Sequence, residues 1–313
     1  MTGKFLIAQL ALLLTLVACS EDATLDLPEP ASAAPRVYTV NYPLAWMAEA
    51  LAGSALDVHF PAPGDVDPAF WEPEVDTILE YQQADLVLLN GANYARWVAR
   101  VSLPGDSLRD TSVNYRDRLV PMESGPVHSH GPAGEHSHGK LAFTTWLDLE
   151  LAQLQMQAVA VALAEILPDA LAVGLATRES ELTQLLAGFD RELAAIGADL
   201  GAAPLLYSHP VYQYLDRRYK LNGKSLHWEP GEMPDEGQWR ELESMLVEHP
   251  ARLMLWEGQP LPEVTARLES LGVGVVVFLP MGNRPESGDF ASVMSQNVQR
   301  LRAALDELDQ GKG

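Results

Sequence analysis

Short apolar runs separated by stretches of helix-forming residues fill the chain from Arg36 onward. The clearest run, residues 84–89, closes on Asn90-Gly91 and is typical of a buried parallel strand. Similar runs recur in both halves of the chain, at residues 37–40, 56–60, 204–207, 253–256 and 273–278. Strands that alternate with helices predict an α/β fold with a parallel sheet in each half.

A long helical pattern separates the two halves. Residues 169–199 follow Pro168 and consist mainly of good helix formers. A helix of that length spans about 45 Å at 1.5 Å per residue, which exceeds the size of a small domain. The pattern therefore predicts a rigid linker helix between an N-terminal α/β lobe at 36–168 and a C-terminal α/β lobe at 200–308.

The first residues have the pattern of an export signal. An apolar run at 5–18 has the length of a signal-peptide core and is too short to remain as a membrane span. It ends in the motif LVAC, residues 16–19, which resembles a bacterial lipobox, and residues 20–35 predict a disordered tether rich in acid, Ala and Pro. We therefore expect a signal peptide at 1–18, lipidation of Cys19, and a protein anchored to a membrane in the periplasm or at the cell surface.

Composition narrows the class of function. The 313 residues include 43 Asp and Glu against 21 Lys and Arg, a net charge of −22. Such a charge argues against binding to nucleic acid and favours attraction of cations, although it also serves solubility. The chain has no recognisable nucleophile motif, phosphate loop or paired-carboxylate arrangement, so an enzyme is not predicted.

Half of the eight histidines lie in one short segment, residues 126–140. They form two His-x-His pairs, His128/His130 and His136/His138, on either side of a Gly-Pro-Ala-Gly stretch. Flexible imidazole-rich tracts bind divalent metals, although more weakly than a preformed site because ordering the tract costs entropy. Binding needs neutral imidazole, so it should weaken below about pH 6.5. The segment predicts metal capture, and the alternative is a solvated polar loop.

Several motifs in a fixed order resemble those of a known family. They are Val66-Asp67-Pro68, Trp71-Glu72-Pro73, residues 84–91, Trp146-Leu147-Asp148, residues 208–214 (SHPVYQY) and residues 278–282 (FLPMG). With these motifs the chain resembles the zinc/manganese solute-binding proteins of ABC transporters over nearly all of 36–308. The resemblance implies two α/β lobes joined by a rigid helix. It also implies a monomer that holds a divalent metal, Zn²⁺ before Mn²⁺, in the cleft and delivers it to a permease.

The ligand set that the resemblance implies is largely absent. Family members present three histidines and one carboxylate, two ligands from each lobe. The matching positions here are Ala69, Thr144, His209 and Leu279. Alanine and leucine donate nothing, and a neutral threonine hydroxyl is a poor zinc ligand. The fold is therefore expected to persist while the inherited metal site does not.

Replacement donors are expected in the C-terminal half. His227 and Glu229 follow a predicted strand at 224–226, and Glu257 follows the next apolar run. Because the carboxyl ends of parallel strands face the cleft, these side chains are candidates to join His209 in a metal site. The alternative for His227 and Glu229 is a surface or capping role. With the inherited site depleted, the histidine-rich segment is the leading candidate for a metal site.

Three functions stay open on the sequence. The first is a solute-binding lipoprotein of a metal-uptake ABC system. The second is a periplasmic metal chaperone or buffer that works without a transporter. The third is a binding protein for a chelated or non-metal solute, because aromatic residues next to the cleft motifs suit an organic ligand if they line the cleft.

Overall fold

Two parallel sheets organise the computed structural model, which describes residues 34–122, 128–129, 135–136 and 141–310. The strands are β1 (Arg36–Thr39), β2 (Asp57–His59), β3 (Leu86–Leu89), β4 (Leu108–Asp110), β5 (His128–Ser129), β6 (Glu135–His136), β7 (Pro204–Tyr207), β8 (Asn222–Ser225), β9 (Leu253–Trp256) and β10 (Gly274–Val277). The first sheet has the order β2-β1-β3-β4 and the second β10-β9-β7-β8, and neighbouring strands in both are parallel. The predicted α/β fold class is confirmed.

Helices flank both sheets. They are α1 (Tyr42–Ala52), α2 (Val75–Gln82), α3 (Leu149–Ile166), α4 (Asp169–Ala172), α5 (Leu175–Leu200), α6 (Gln213–Tyr219), α7 (Glu236–Glu248), α8 (Pro262–Ser270) and α9 (Phe290–Gln310). Within the described part of the chain, none of them combines the length and the apolarity needed to cross a bilayer.

The central strands are apolar because both of their faces are covered. Val87 of β3, Leu206 of β7 and Met254 of β9 are fully buried. A parallel strand covered on both faces carries a nearly continuous apolar run rather than an alternating one. The short runs in the sequence therefore located these strands to within one or two residues, as for residues 253–256 and β9.

The connection between the lobes differs from the predicted single helix at 169–199. The short helix α4 ends before Val173 and Gly174, and α5 then continues for 26 residues, or about 39 Å at 1.5 Å per residue. Gly174 has a low helix propensity, which accounts for a break at this point. The long helix packs on α3 of the first lobe and α9 of the second, so it belongs to the core as well as to the linker.

Residues 102–122, which precede the histidine-rich segment, contain the strand β4 and two short 3₁₀ helices, Gly105–Ser107 and Val113–Arg118. The strand β4 has the largely polar sequence Leu-Arg-Asp and lies at the edge of the first sheet, where an apolar run is not required. The strands β5 and β6 pair antiparallel, so that the backbone of His128 is opposite that of His136.

Candidate metal centre

Three adjacent strands of the second sheet end at the same place and carry the candidate donors. His209 follows β7 by two residues, Glu257 follows β9 directly, and Glu229 follows β8 by four residues. Ser208 N donates to the Leu255 carbonyl, and the Ser208 carbonyl accepts from Trp228 N. These bonds extend the sheet ladder past the strand ends and hold the three donor segments side by side.

The donor atoms of these three residues are close together. The Nδ1 atom of His209 lies 3.2 Å from Glu229 Oε1 and 3.9 Å from Glu257 Oε1. Among the described residues, His209, Glu229 and Glu257 form the one group whose possible metal-ligating atoms all lie within 4.8 Å of one another. His209 is only 5% exposed, so the group is largely sheltered from water.

The electrostatics of the group favour a cation. Burial raises the pKa of Glu257 well above its ordinary value, and the charges of Glu229 and Asp67 raise it further. The neighbouring Tyr212 is fully buried and donates from its hydroxyl to the Phe278 carbonyl at 2.7 Å. Its pKa is raised by burial and by the charge of Glu257. Buried carboxylates of this kind are stabilised by a cationic partner or by a metal ion.

Asp67 is the feature of this site that the sequence reasoning missed as a contributor. It lies in the N-terminal lobe, and its carboxylate accepts a hydrogen bond of 2.9 Å from the backbone N–H of Ala69. The signal was present in the sequence, because Asp67 belongs to the Val-Asp-Pro motif. Its influence on Glu257, however, depends on how the two lobes pack.

The positions that the resemblance assigns to ligands have other roles here. Thr144 donates from its hydroxyl to the Val211 carbonyl at 2.6 Å. Ala69 is buried at 2% exposure. The backbone of Leu279 pairs with the Asn297 side chain through two hydrogen bonds, of 3.0 and 2.8 Å. Of the four positions, His209 alone offers a strong metal donor.

Of the remaining sequence candidates, the described His227 is not part of this group. The His227 ring is edge-on to that of His209 with 6.0 Å between ring centroids. His128 and His136 are described through their paired backbones. His130, His138 and Cys19 lie outside the described residues.

The other two histidines have structural contacts. His249 is buried and its Nε2 atom lies 2.9 Å from the Leu205 carbonyl. His59 stacks on Tyr38 with 4.6 Å between ring centroids, and its Nε2 lies 2.9 Å from Asp57. Neither belongs to the metal-capable group.

Comparison with known proteins agrees with the family resemblance that the sequence motifs indicate. Residues 37–304 match the model of the family described as zinc-uptake complex component A, periplasmic. The chain is 23% identical to the high-affinity zinc uptake system protein ZnuA of Bacillus subtilis over 97% of both chains.

Two solved structures illustrate the likeness of fold. The metal-dependent lipoprotein YcdH of Bacillus subtilis is 20% identical with a TM-score of 0.71, over 87% of this chain and 98% of that one. The Zn(II)-bound ZnuA-like domain of Streptococcus pneumoniae AdcA is 17% identical with a TM-score of 0.72, over 87% of this chain and 99% of that one.

Proposed function

Because this chain belongs to the periplasmic zinc-uptake complex component A family, we propose that it captures a divalent metal ion, Zn²⁺ in the first place, and delivers it to the permease of an ABC transporter. The names of its relatives, a zinc uptake protein and a Zn(II)-bound domain, support zinc as the cargo. We further propose that the protein is an exported monomer, held at a membrane by a lipid on Cys19.

One observation carries this proposal. His209, Glu229 and Glu257 converge at the ends of three adjacent strands, with their possible ligand atoms within 4.8 Å of one another. Zn²⁺ takes imidazole nitrogen and carboxylate oxygen at about 2.0–2.2 Å, so small side-chain movements bring these donors onto one ion. A water molecule or a further protein donor completes four-coordination.

The function is tested by measuring zinc affinity through competition with a chelator. His209→Ala removes the only imidazole of the group, and we expect affinity to fall by at least about a hundredfold, since even indirect partners of a metal ligand are worth 10–100-fold. His59→Gln, which removes a histidine outside the group, serves as the matched control and should leave affinity unchanged. Equal affinities of wild type and His209→Ala would contradict the proposal.

A second function, a periplasmic metal buffer without a transporter, is favoured by one specific observation. Three of the four family ligand positions carry Ala69, Thr144 and Leu279, which suits a weaker site than one for high-affinity uptake. Zinc-dependent binding of the protein to a purified permease separates the two functions. Binding supports uptake, and its absence with zinc loaded supports the buffer.

A further inference from the structure

One buried tyrosine hydroxyl of the N-terminal lobe has no protein partner. Tyr94 is only 4% exposed, and its hydroxyl makes no hydrogen bond to any residue that the structure describes. The hydroxyl of Tyr81, by contrast, is equally buried and donates to the Thr39 carbonyl at 2.8 Å. Buried polar side chains are mostly paired, because an unpaired one costs free energy on folding. A partner for the Tyr94 hydroxyl is therefore expected outside the chain itself.

The ring of Tyr94 packs around one of the changed ligand positions. These positions are Ala69, Thr144 and Leu279. The ring contacts Phe143 and Trp146 edge-on, with 5.3 and 5.8 Å between ring centroids. Phe143 and Trp146 lie on either side of Thr144 in the sequence. Tyr94 thus belongs to the N-terminal-lobe wall of the cleft.

The other two changed ligand positions border the same place. Phe143, the ring neighbour of Tyr94, also contacts Phe70, the residue after Ala69, with 6.0 Å between centroids. On the side of the second lobe, the Tyr94 hydroxyl lies 3.3 Å from where a Cβ would stand at Gly282, three residues after the third position. The hydroxyl is therefore the polar group that lies among the positions from which donors have been lost.

An unusual backbone places Tyr94 there. Directly after β3, Gly91, Ala92 and Asn93 all have positive φ, of 73°, 49° and 56°. The turn is closed by a hydrogen bond of 3.0 Å from Tyr94 N to the Gly91 carbonyl. Residues other than glycine seldom adopt this conformation, and such strained segments concentrate at functional sites. The turn holds Tyr94 at the carboxyl end of β3, the end of a parallel strand that faces the cleft.

The charge of Asp67 acts on both Tyr94 and the metal-capable group. Burial raises the pKa of Tyr94, and the charge of Asp67 raises it further. The same carboxylate contributes to the raised pKa of Glu257. The Tyr94 hydroxyl consequently keeps its proton, so it is suited to donate a hydrogen bond and not to bind an ion as a phenolate.

We propose that Tyr94 is a positioning residue of the metal centre, whose hydroxyl donates a hydrogen bond to the water molecule that completes the coordination of the bound ion. The proposal rests on the proposed metal capture. His209, Glu229 and Glu257 supply three donors, and the changed ligand positions supply no strong fourth one. Outer hydrogen bonds hold such a ligand in place and strengthen metal binding.

Tyr94→Phe tests the proposal, because it keeps the packed ring and removes only the hydroxyl. We expect zinc affinity, measured by competition with a chelator, to fall about 10- to 100-fold. Tyr81→Phe is the matched control, since its hydroxyl is bonded within the protein away from the metal-capable group, and it should keep the wild-type affinity. Equal affinities of Tyr94→Phe and wild type would overturn the proposal.

Thermal unfolding with excess chelator separates this role from a purely structural one. Removal of an unpaired buried hydroxyl should leave the melting temperature of Tyr94→Phe at or above that of wild type. Tyr81→Phe loses a buried hydrogen bond and should melt at a lower temperature. If Tyr94→Phe were destabilised as much as Tyr81→Phe, the hydroxyl would have a partner in the protein and the proposal would fail.

Two further measurements on the same proteins distinguish the remaining outcomes. Ultraviolet difference spectra on addition of zinc should show no tyrosinate; a tyrosinate signal that disappears in Tyr94→Phe would mean direct ligation and overturn the proposal. If His209→Ala loses zinc affinity while Tyr94→Phe does not, the role of Tyr94 fails and metal capture stands. If wild type binds no zinc, both fail.

Discussion

At the scale of single residues, Glu257 combines burial with the negative charges of two neighbouring carboxylates. Its carboxyl is buried, and the charges of Glu229 and Asp67 act on it in the same direction as burial, so its pKa is raised well above the ordinary value of 4.5. A cation at the site relieves this cost, because opposite charge favours the ionised form. We therefore propose that the ionised Glu257 lowers the stability of the protein without metal and raises its affinity for metal.

Glu257→Gln tests whether the ionised Glu257 destabilises the folded protein without metal. The test uses the pH dependence of stability. Between pH 4.5 and the raised pKa, the folded wild type holds a proton that the unfolded chain has released. Its free energy of unfolding therefore falls as pH rises through this window, by up to about 1.4 kcal/mol per pH unit. The variant lacks this slope, and we expect it to be the more stable protein at pH 8.

Denaturant unfolding with excess chelator at pH 5, 6, 7 and 8 measures the free energy of unfolding of wild type and Glu257→Gln. Glu263→Gln, at an exposed position of α8, serves as the control and should follow the wild-type slope. If the free energy of unfolding fell with pH at the same slope in Glu257→Gln and wild type, the destabilising effect of the ionised Glu257 would be contradicted.

Residue positions at the candidate site were predictable where a motif or a strand end marked them. His209 follows from its motif, and Glu229 and Glu257 follow from the rule that strand ends face the cleft. Which of the candidates come within ligand distance of His209 could not be predicted, because it depends on the strand order β9-β7-β8, which periodicity does not encode. The effect of Asp67 on the pKa of Glu257 could not be predicted either, because it depends on how the two lobes pack.

At the scale of elements, the start of α3 joins the two lobes by charge. Asp148 caps this helix by accepting from the backbone N–H groups of Glu150 and Leu151, at 3.1 and 3.2 Å. Its other oxygen lies 3.2 Å from the Arg217 guanidinium of α6 in the second lobe. The carboxylate is only 2% exposed, which makes it dependent on its partners.

Asp148→Ala removes both the cap and the charge, and we expect it to lower the free energy of unfolding by about 1–3 kcal/mol, mostly through the lost cap, because the Arg217 guanidinium is 38% exposed and stays partly solvated. Asp148→Asn keeps an oxygen that can cap the helix, so its loss should be smaller. Urea unfolding of the two variants beside wild type measures both effects. Equal stability of Asp148→Ala and wild type would show that the contact between lobes contributes little.

The histidine-rich segment is the second element with a testable role. Replacing His128, His130, His136 and His138 together with Ala should remove a weaker class of zinc sites and leave the His209-dependent affinity in place. The reason is that the sequence predicts an imidazole-rich tract, which binds metal more weakly than a preformed group. Zinc stoichiometry by equilibrium dialysis at pH 7.5 checks the result, and an unchanged stoichiometry would exclude the segment from metal capture.

Elements with an apolar signature were predictable, and some of the polar ones were not. The buried run at 84–89 marks β3, since a covered parallel strand must be apolar. β4 and α8 were missed because the first lies at a sheet edge and the second is short and half polar. The break at Val173–Gly174 was underestimated, as a single glycine only weakens a helix.

At the scale of the whole molecule, the fold is kept while the residues at the implied metal-ligand positions have changed. The two-lobe α/β fold matches solved relatives at TM-scores near 0.7, such as 0.71 for YcdH, while three of the four implied ligand positions carry no strong donor. The fold depends on many buried apolar residues, and the site depended on a few side chains, so the fold persists when the site changes. The net charge of −22 remains suited to attracting cations.

The central claim is that a divalent metal binds at His209, Glu229 and Glu257. Anomalous diffraction at the zinc edge, from crystals grown with zinc, tests it most directly. We predict an ion bound by one His209 nitrogen and by oxygens of Glu229 and Glu257 at about 2.0–2.2 Å. Crystals in which this position holds no ion, while zinc is bound elsewhere on the protein, would contradict the claim.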